Sequence, residues 1–382
     1  MPVEQKAHIK KRVMPGDLPS ASERHKIQRR LLSWFARSQR DLPWRRDRDP
    51  YRIWVSEIML QQTQVVTVIP YFQRFVRAFP TVAALAGADE QAVLRLWEGL
   101  GYYRRARDMH QAARVIMNGH DGEIPQEPAS LLSLPGIGRY TAGAILSQAF
   151  ERRLPILEAN SRRVLCRLYG RRDDPQRGPL RAWLWKLAEA LLPARRVGEF
   201  NQALMELGAL VCTPAAPKCT SCPLAALCAA QRLGIQETIP FSPPPPRPLA
   251  IEEAAVVVRR NGAVCLGQRP KTGRWAGLWE FPHAPVQKGE SHDQAAARFL
   301  PELTGFDVEL GAELMTLRHS ITHHRIRLVC FEARHRRGRF YSRFYQQGRW
   351  VKPTELSAFP VSSPQRRLAL MLVNPDRQRR LF

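Results

Sequence analysis

The chain has 382 residues, too many for one ordinary hydrophobic core and suited to two domains. With 44% hydrophobic and 24% charged residues it is read as a globular, ordered protein. The sequence lacks a run of about 20 apolar residues, so no membrane span is expected, and the opening MPVEQKAHIKKRV lacks the apolar region of a signal peptide. Lys and Arg outnumber Asp and Glu by 59 to 34, a formal net charge of +25. A polyanion is the natural partner. Nucleic acid is favoured over a membrane surface, because no strongly apolar amphipathic helix accompanies the charge.

Residues 1–25 are polar and charged and are read as a flexible basic tail. From 26 to 230 the pattern is helical. Apolar residues recur at helical spacing in HKIQRRLLSWFARSQR, in WVSEIMLQQTQVVTVIPYFQRFVRAF and in AVLRLWEGLGYYRRARDMHQAARVIMNG. Pro43, Pro70, Pro80, Pro125 and Pro155 fall at expected helix breaks. A linker is placed at 231–248, where FSPPPPRP (241–248) cannot sustain a helix and favours a stiff, extended chain. From 249 to 382 the texture changes. AIEEAAVVVRR and GAVCLGQRP predict two strands about a turn at Asn261 and Gly262. RIRLVCFEARH predicts a further strand and DQAAARFLPELTG a helix, so this second domain is α+β.

Seven cysteines are an odd number, and without an export signal a disulfide framework is not expected. Four of them, Cys212, Cys219, Cys222 and Cys228, crowd together as C-x6-C-x2-C-x5-C. Four thiolates this close form a sulfur site that accepts either zinc or a 4Fe–4S cluster. The asymmetric spacing, at the end of the helical region, favours the cluster. Cys166, Cys265 and Cys330 stand alone and are read as plain buried residues.

A second motif is LPGIGRYTAGAI at 134–145. A helix is expected to end near Ser133, a Pro-Gly-x-Gly turn to follow, and a small-residue helix to start near Tyr140. The free N–H groups at that helix start can hold a DNA phosphate, which makes Gly136, Gly138 and Arg139 the DNA-binding candidates. The third signal is Glu57, set among Trp54, Val55, Ile58 and Leu60. A carboxyl group in an apolar setting favours its neutral form and can donate a proton near neutral pH. By itself, however, a lone helical glutamate is more often a solvated residue.

SEIMLQQTQV, LWEGLGYYRRARDMH, LPGIGRYTAGAIL, FNQALMELGALVC and the cysteine loop stand in the order and spacing of the MutY family. The chain resembles that family, within the endonuclease III or helix-hairpin-helix superfamily, over about 26–230. Residues 249–382 resemble its Nudix-like C-terminal domain more weakly. The resemblance implies a multi-domain protein: an all-α helix-hairpin-helix glycosylase domain with an iron–sulfur cluster loop at 212–228, then an α+β Nudix-like domain that recognises 8-oxoguanine. It implies excision of adenine mispaired with 8-oxoguanine or guanine in double-stranded DNA, with the base flipped out of the stack. A monomer in a bacterial cytoplasm, acting on nucleoid DNA, is expected.

Carried over residue by residue, Glu57 would protonate adenine N7. Tyr140 falls where bifunctional relatives have a lysine; tyrosine cannot form a Schiff base, so a monofunctional glycosylase is implied. Gln62 and Tyr102 match residues that wedge into the duplex. Arg40, Leu42, Trp44, Arg45, Val65 and Gln202 match the adenine pocket, and Asn160 a residue supporting the catalytic centre. Arg195, Arg196 and Lys218, near the cluster loop, can contact phosphates.

One departure stands out. The family's Asp-Gly-Asn is Glu158-Ala159-Asn160 here. The family aspartate stabilises or captures the oxocarbenium-like sugar, and glutamate keeps the charge one methylene further out. Glu158 is expected to retain the role through a compensating backbone shift; a slow enzyme or a lesion-binding protein is the competing reading. In the second domain, AAARFLPELTG has Glu302 but lacks the acidic box of a Nudix hydrolase, so nucleotide hydrolysis is not expected. The segment from Leu317 to His323 resembles the family's recognition loop, with Ile321 and Thr322 replacing Phe-Ser and His323 kept. Thr322 retains a hydroxyl that both donates and accepts. An endonuclease III-like glycosylase is a further alternative, against which Tyr140 and the second domain argue.

Overall fold

The computed structural model describes residues 18–244 and 246–373. Most of the expected basic tail lies outside the described residues. Its last part does not stay loose: α1 (Ala21–Ser38) begins inside it, because Ser20 caps the helix by accepting from Glu23 N at 3.2 Å. Ile27, Leu31 and Phe35, spaced by four, then form its buried stripe.

The helices continue as α2 (Pro50–Leu60), α3 (Val65–Ala78), α4 (Val82–Ala86), α5 (Glu90–Trp97), α6 (Arg104–Gly119), α7 (Pro128–Leu132), α8 (Arg139–Phe150), α9 (Ala159–Leu168), α10 (Gly178–Leu191), α11 (Val197–Leu210) and α12 (Ala229–Leu233). Pro43, Pro80, Pro125 and Pro155 stand outside α-helices. Pro70 does not break a helix but sits inside α3. Its ring forfeits one backbone bond, and burial of Val68, Phe72 and Phe75 along the same helix outweighs that loss. The expected linker is helical as far as Leu233, and its described residues 241–244 and 246–248 carry no regular structure.

The described residues up to Glu57, with Ile124–Pro243, form one compact unit. Its core joins α1, α9, α10 and α11 through Phe35, Val164, Leu184, Leu187, Phe200 and Leu207. In α8 every residue from Thr141 to Gln148 is buried. Small side chains let neighbours crowd such a helix from several sides, which is why it shows no single apolar stripe.

Ile58–Glu123 and the described residues from Pro244 onward form the second unit. It holds α3–α6 and a mixed sheet of β1 (Leu249–Arg260), β2 (Ala263–Gln268), β3 (Trp279–Glu280), β4 (His283–Pro285), β5 (Asp307–Ile321), β6 (His324–Arg337) and β7 (Gln347–Val351), with α13 (His292–Thr304) and α14 (Ser363–Val373). The strand order is β3-β2-β1-β6-β5, with β4 beside β1 and β7 beside β2. β1 and β6 run parallel from Leu249 opposite His324 to Arg259 opposite Arg334. Ala254, Val256 and Val258 face the cluster that contains α13, while Ala255 and Val257 face the one that contains α14. Both faces of β1 are therefore covered, which explains its unbroken apolar run. The predicted turn is present, with Asn261 and Gly262 at φ 50° and 75° between paired Arg260 and Ala263.

Candidate active site

Glu57 lies on α2 with 5% exposure, and the adjacent Trp54, Val55 and Ile58 are buried. Its Oε2 accepts from the Tyr140 hydroxyl at 2.6 Å and its Oε1 from Gln148 Nε2 at 3.1 Å. Burial raises the pKa of Glu57. The two hydrogen bonds oppose that rise, the charge of Glu158 adds to it, and Arg45 opposes it. The Tyr140 hydroxyl is pushed far upward by its own burial and by the Glu57 charge, so it remains a donor. Its oxygen also lies 3.2 Å from Met205 Sδ.

Glu158 is the N-cap of α9. Its Oε2 accepts from Asn160 N at 2.7 Å and its Oε1 from Ser161 N at 2.6 Å, while Glu158 N donates to Ser161 Oγ at 2.8 Å. This is a capping box with glutamate in a place that usually favours Ser, Thr, Asp or Asn. The extra methylene is taken up by folding the carboxylate back over the helix start. Asn160 Oδ1 accepts from the Arg163 guanidinium at 2.8 Å, and Arg163 also donates to Gly208 O at 2.8 Å and to Cys212 O at 2.8 Å. One buried arginine thus links the start of α9 to the first cysteine of the loop.

Arg40 and Arg45 converge on Glu206, which is 1% exposed. Arg40 approaches through Nε at 2.8 Å and a terminal nitrogen at 2.7 Å, and Arg45 through its two terminal nitrogens at 3.2 and 3.0 Å. Burial alone would raise the Glu206 pKa, but the hydrogen bonds from Arg40 and Arg45 carry it down to about 2. A depressed carboxylate adds stability above its unfolded value and loses it as pH falls through the folded value. Glu206 should therefore stabilise the fold at neutral pH and stop doing so between about 4.5 and about 2. Glu206→Gln is expected to cost about 3 kcal/mol at pH 7 by chemical denaturation, because it strands two arginines, and the deficit should shrink at acid pH.

A cleft of about 160 Å³ opens beside this cluster, lined in part by Trp44, Arg45, Ile53, Gln148 and Gln202. An apolar cavity of about 150 Å³ accepts benzene, so the cleft has room for a flat ring. Of the expected pocket residues, Trp44, Arg45 and Gln202 line it. Arg40 instead turns to Glu206, Leu42 is 4% exposed, and Val65 begins α3 in the other unit.

The hairpin between α7 and α8 has Gly136 at φ 75° and Gly138 as the N-cap of α8, with no side chain capping that end. Arg139 is exposed, and its guanidinium stacks 3.9 Å from the Trp185 ring centroid. In the second unit, Gln62 and Tyr102 are exposed, and both adopt left-handed backbone, at φ 57° and 47°. Arg105 ties their two loops together. It donates to the carbonyls of Ile58, Met59 and Gln61 on one side and to Leu100 O and Gly101 O, each at 3.2 Å, on the other. The expected recognition loop is mostly strand. Residues 317–321 belong to β5, and Thr322 and His323 form the two-residue tip before β6. Both tip residues are exposed, and Thr322 Oγ1 donates to Ile321 O at 2.7 Å.

Cys212, Cys219, Cys222 and Cys228 line one cavity of about 30 Å³ with Arg167 and Lys218. Arg167 donates to Thr213 O at 2.6 Å, to Pro214 O at 2.9 Å and to Cys212 Sγ at 3.4 Å. Among the described residues no three His, Cys, Asp or Glu side chains converge on a single ion position.

Two family models match the chain: "HhH-GPD superfamily base excision DNA repair protein" over residues 55–190 and "NUDIX domain" over 254–371. An adenine DNA glycosylase of Buchnera aphidicola (subsp. Schizaphis graminum) is 37% identical over 256 residues, 66% of this chain and 73% of its own length. The chain belongs to the adenine DNA glycosylase family. A Mycobacterium tuberculosis member is 44% identical over 217 residues, 55% of this chain and 71% of its own. A rat member is 40% identical over 326 residues, 71% of this chain. The chain spans 62% of the length of the rat and mouse members and 59% of the human one. The structure of a thermostable thymine-DNA glycosylase, at 29% identity and TM-score 0.51, covers 56% of this chain and 98% of its own. The fold is thus a helix-hairpin-helix domain followed by a Nudix-like one.

Gln148, Arg163, Arg167 and Glu206 in the first unit, and separately Arg105 in the second, contact candidate site residues or the cysteine loop and were missed by sequence reasoning. Each is a polar residue on a helix, and nothing local marks it as buried or, for Arg105, half-buried. The excess of arginine was visible, but which arginines turn inward was not.

Proposed function

We propose that the chain is a monofunctional glycosylase that excises adenine opposite 8-oxoguanine, or opposite guanine, in duplex DNA. The observation that carries this reading is Glu57, a buried carboxyl group whose pKa burial raises, bonded to Gln148, which also lines the ring-sized cleft. Glu57 gives its proton to adenine N7. The C1′–N9 bond then breaks, its electron pair passing into the adenine ring, and the sugar is left as an oxocarbenium ion. The Glu158 charge, fixed at the start of α9, stabilises that cation. Water adds its oxygen to C1′ and returns a proton to Glu57, restoring the acid. Tyr140 holds Glu57 and forms no Schiff base. Gln62 and Tyr102 wedge into the opened duplex, while Thr322 and His323 contact the lesion. A bacterial cytoplasm is the compartment this reading implies. Adenine release from a duplex with one A:8-oxoguanine pair, under single-turnover conditions, tests it. Tight binding without release would favour a lesion-binding protein, and a borohydride-trapped adduct would point to an endonuclease III-like lyase.

Cys212, Cys219, Cys222 and Cys228 suit a 4Fe–4S cluster better than zinc. The asymmetric C-x6-C-x2-C-x5-C spacing at the end of the helical region supports that reading, and the four cysteines line one cavity. Such a group would cross-link the loop and leave the base chemistry to Glu57. The purified protein should carry iron and acid-labile sulfide, and Cys222→Ser should lose both. One equivalent of zinc without sulfide would overturn the assignment.

A further inference from the structure

We propose that the C-terminal domain, besides presenting Thr322 and His323, positions Tyr102 through an ion pair between Arg366 and Glu98. Arg366 is then a positioning residue for extrusion of the adenine. The inference rests on the reading of Tyr102 as a wedge.

Glu98 is the C-cap of α5, and Glu98–Tyr103 is the loop into α6. Tyr102 protrudes from it with 48% exposure. A left-handed tyrosine is unfavourable and persists only where its surroundings fix it. Several contacts fix this one from within the helices. A Cβ on Gly99, at φ 100°, would lie 2.1 Å from the Tyr71 hydroxyl, so the loop presses on α3. Trp97 Nε1 donates to Gly101 O at 3.1 Å, and the Arg105 guanidinium lies 5.5 Å from the Tyr102 ring centroid.

The remaining grip comes from the C-terminal domain. Arg366 on α14 donates to Glu98 Oε1 at 2.6 Å and to Oε2 at 2.9 Å, with side-chain exposures of 15% and 8%. Val361 N adds a bond to Oε2 at 3.3 Å, and Arg95 a weaker contact at 3.6 Å. The Tyr103 hydroxyl donates to Val361 O at 3.2 Å while accepting from Gly99 N at 3.4 Å. Arg366 is itself fixed by its own domain, donating to Leu356 O at 2.8 Å and Phe359 O at 2.6 Å. A guanidinium so constrained presents a fixed fork to the carboxylate. Both ends of the loop that carries Tyr102 are thus held by residues 361–366. Releasing one end lets Tyr102 relax toward ordinary backbone angles. Misplacement of a positioning group by about 1 Å costs about 100-fold in rate.

This role differs from lesion reading in its signature. Losing a contact to 8-oxoguanine should slow only the lesion-containing duplex. Losing the grip on Tyr102 should slow extrusion equally opposite 8-oxoguanine and opposite guanine. The test uses the full chain, with 2-aminopurine in place of the target adenine and its fluorescence followed by stopped flow. Arg366→Ala should slow extrusion about 10- to 100-fold on both duplexes, with cooperative thermal unfolding and affinity for undamaged duplex retained. Glu98→Gln should do the same, and serves as the deciding variant if Arg366→Ala fails to fold. Tyr102→Ala should be as slow, and adding Arg366→Ala to it should change little, because the two act in series. Wild-type extrusion in Arg366→Ala and Glu98→Gln, with Tyr102→Ala slow, would overturn the proposal alone. Wild-type extrusion in Tyr102→Ala would remove the wedge reading, and the proposal with it.

Discussion

Glu57→Gln should reduce single-turnover adenine release by about 1,000-fold, within the span of a positioned general acid, while leaving duplex binding intact. Glutamine fills the same volume. Its carbonyl can accept from Tyr140 as the carboxylate does at 2.6 Å, and an amide flip of Gln148 removes the donor–donor clash. What is lost is the transferable proton. Release at more than a tenth of the wild-type rate would rule out Glu57 as the acid.

The same residue sets a pH dependence whose sign follows from burial. Its folded pKa lies above the ordinary 4.5, so the proton is kept to higher pH than in the unfolded chain. The rate should hold on the acid side and fall as pH rises through that raised value, and Glu57→Gln should lack this limb. Stability should fall in the same direction. The folded state holds a proton that the unfolded state has already lost above 4.5, so each step up in pH favours unfolding until Glu57 ionises in both.

How much of this was legible in the sequence depended on whether the signal was local. β1 could be read because six consecutive residues, Glu253–Val258, are buried between two layers. The turn at Asn261 and Gly262 could be read because its backbone requires residues tolerant of positive φ. β5 could not. Register shifts between Asp307 and Val308, Leu310 and Glu313, and Glu313 and Met315 break its alternation. β3 and β4, of two and three residues, are too short to show a period. The site divides in the same way. Glu57 has apolar neighbours, but its catalytic reading depended on the family resemblance. Glu206 could not be read, because its partner Arg40 lies 166 residues away in the chain, and Glu98 meets Arg366 across 268. Long-range ion pairs leave no local pattern. The backbone geometry of Gln62 and Tyr102 was equally hidden, since neither residue type marks a left-handed position.

Glu158 is where sequence and structure together make the sharpest demand. Its carboxylate accepts two amide hydrogens at 2.7 and 2.6 Å, so the longer side chain is held in place. Glu158→Ala removes the cap and the charge at once, and should cost about 1 kcal/mol of stability and about 100- to 1,000-fold in release. Glu158→Asp keeps both, because aspartate is among the best N-caps, and its rate should stay within about tenfold of wild type. A gain of orders of magnitude would instead show that the glutamate is misplaced and the natural protein slow. Glu158→Gln separates the two contributions, since its carbonyl still caps the helix but carries no charge. Because the Glu158 charge raises the pKa of Glu57, its removal should also move the alkaline limb of the rate profile to lower pH. A slow Glu158→Gln enzyme with that shift would show a charge acting on both the sugar cation and the acid. The same slow rate with an unmoved limb would mean that Glu158 serves the cation without sensing Glu57.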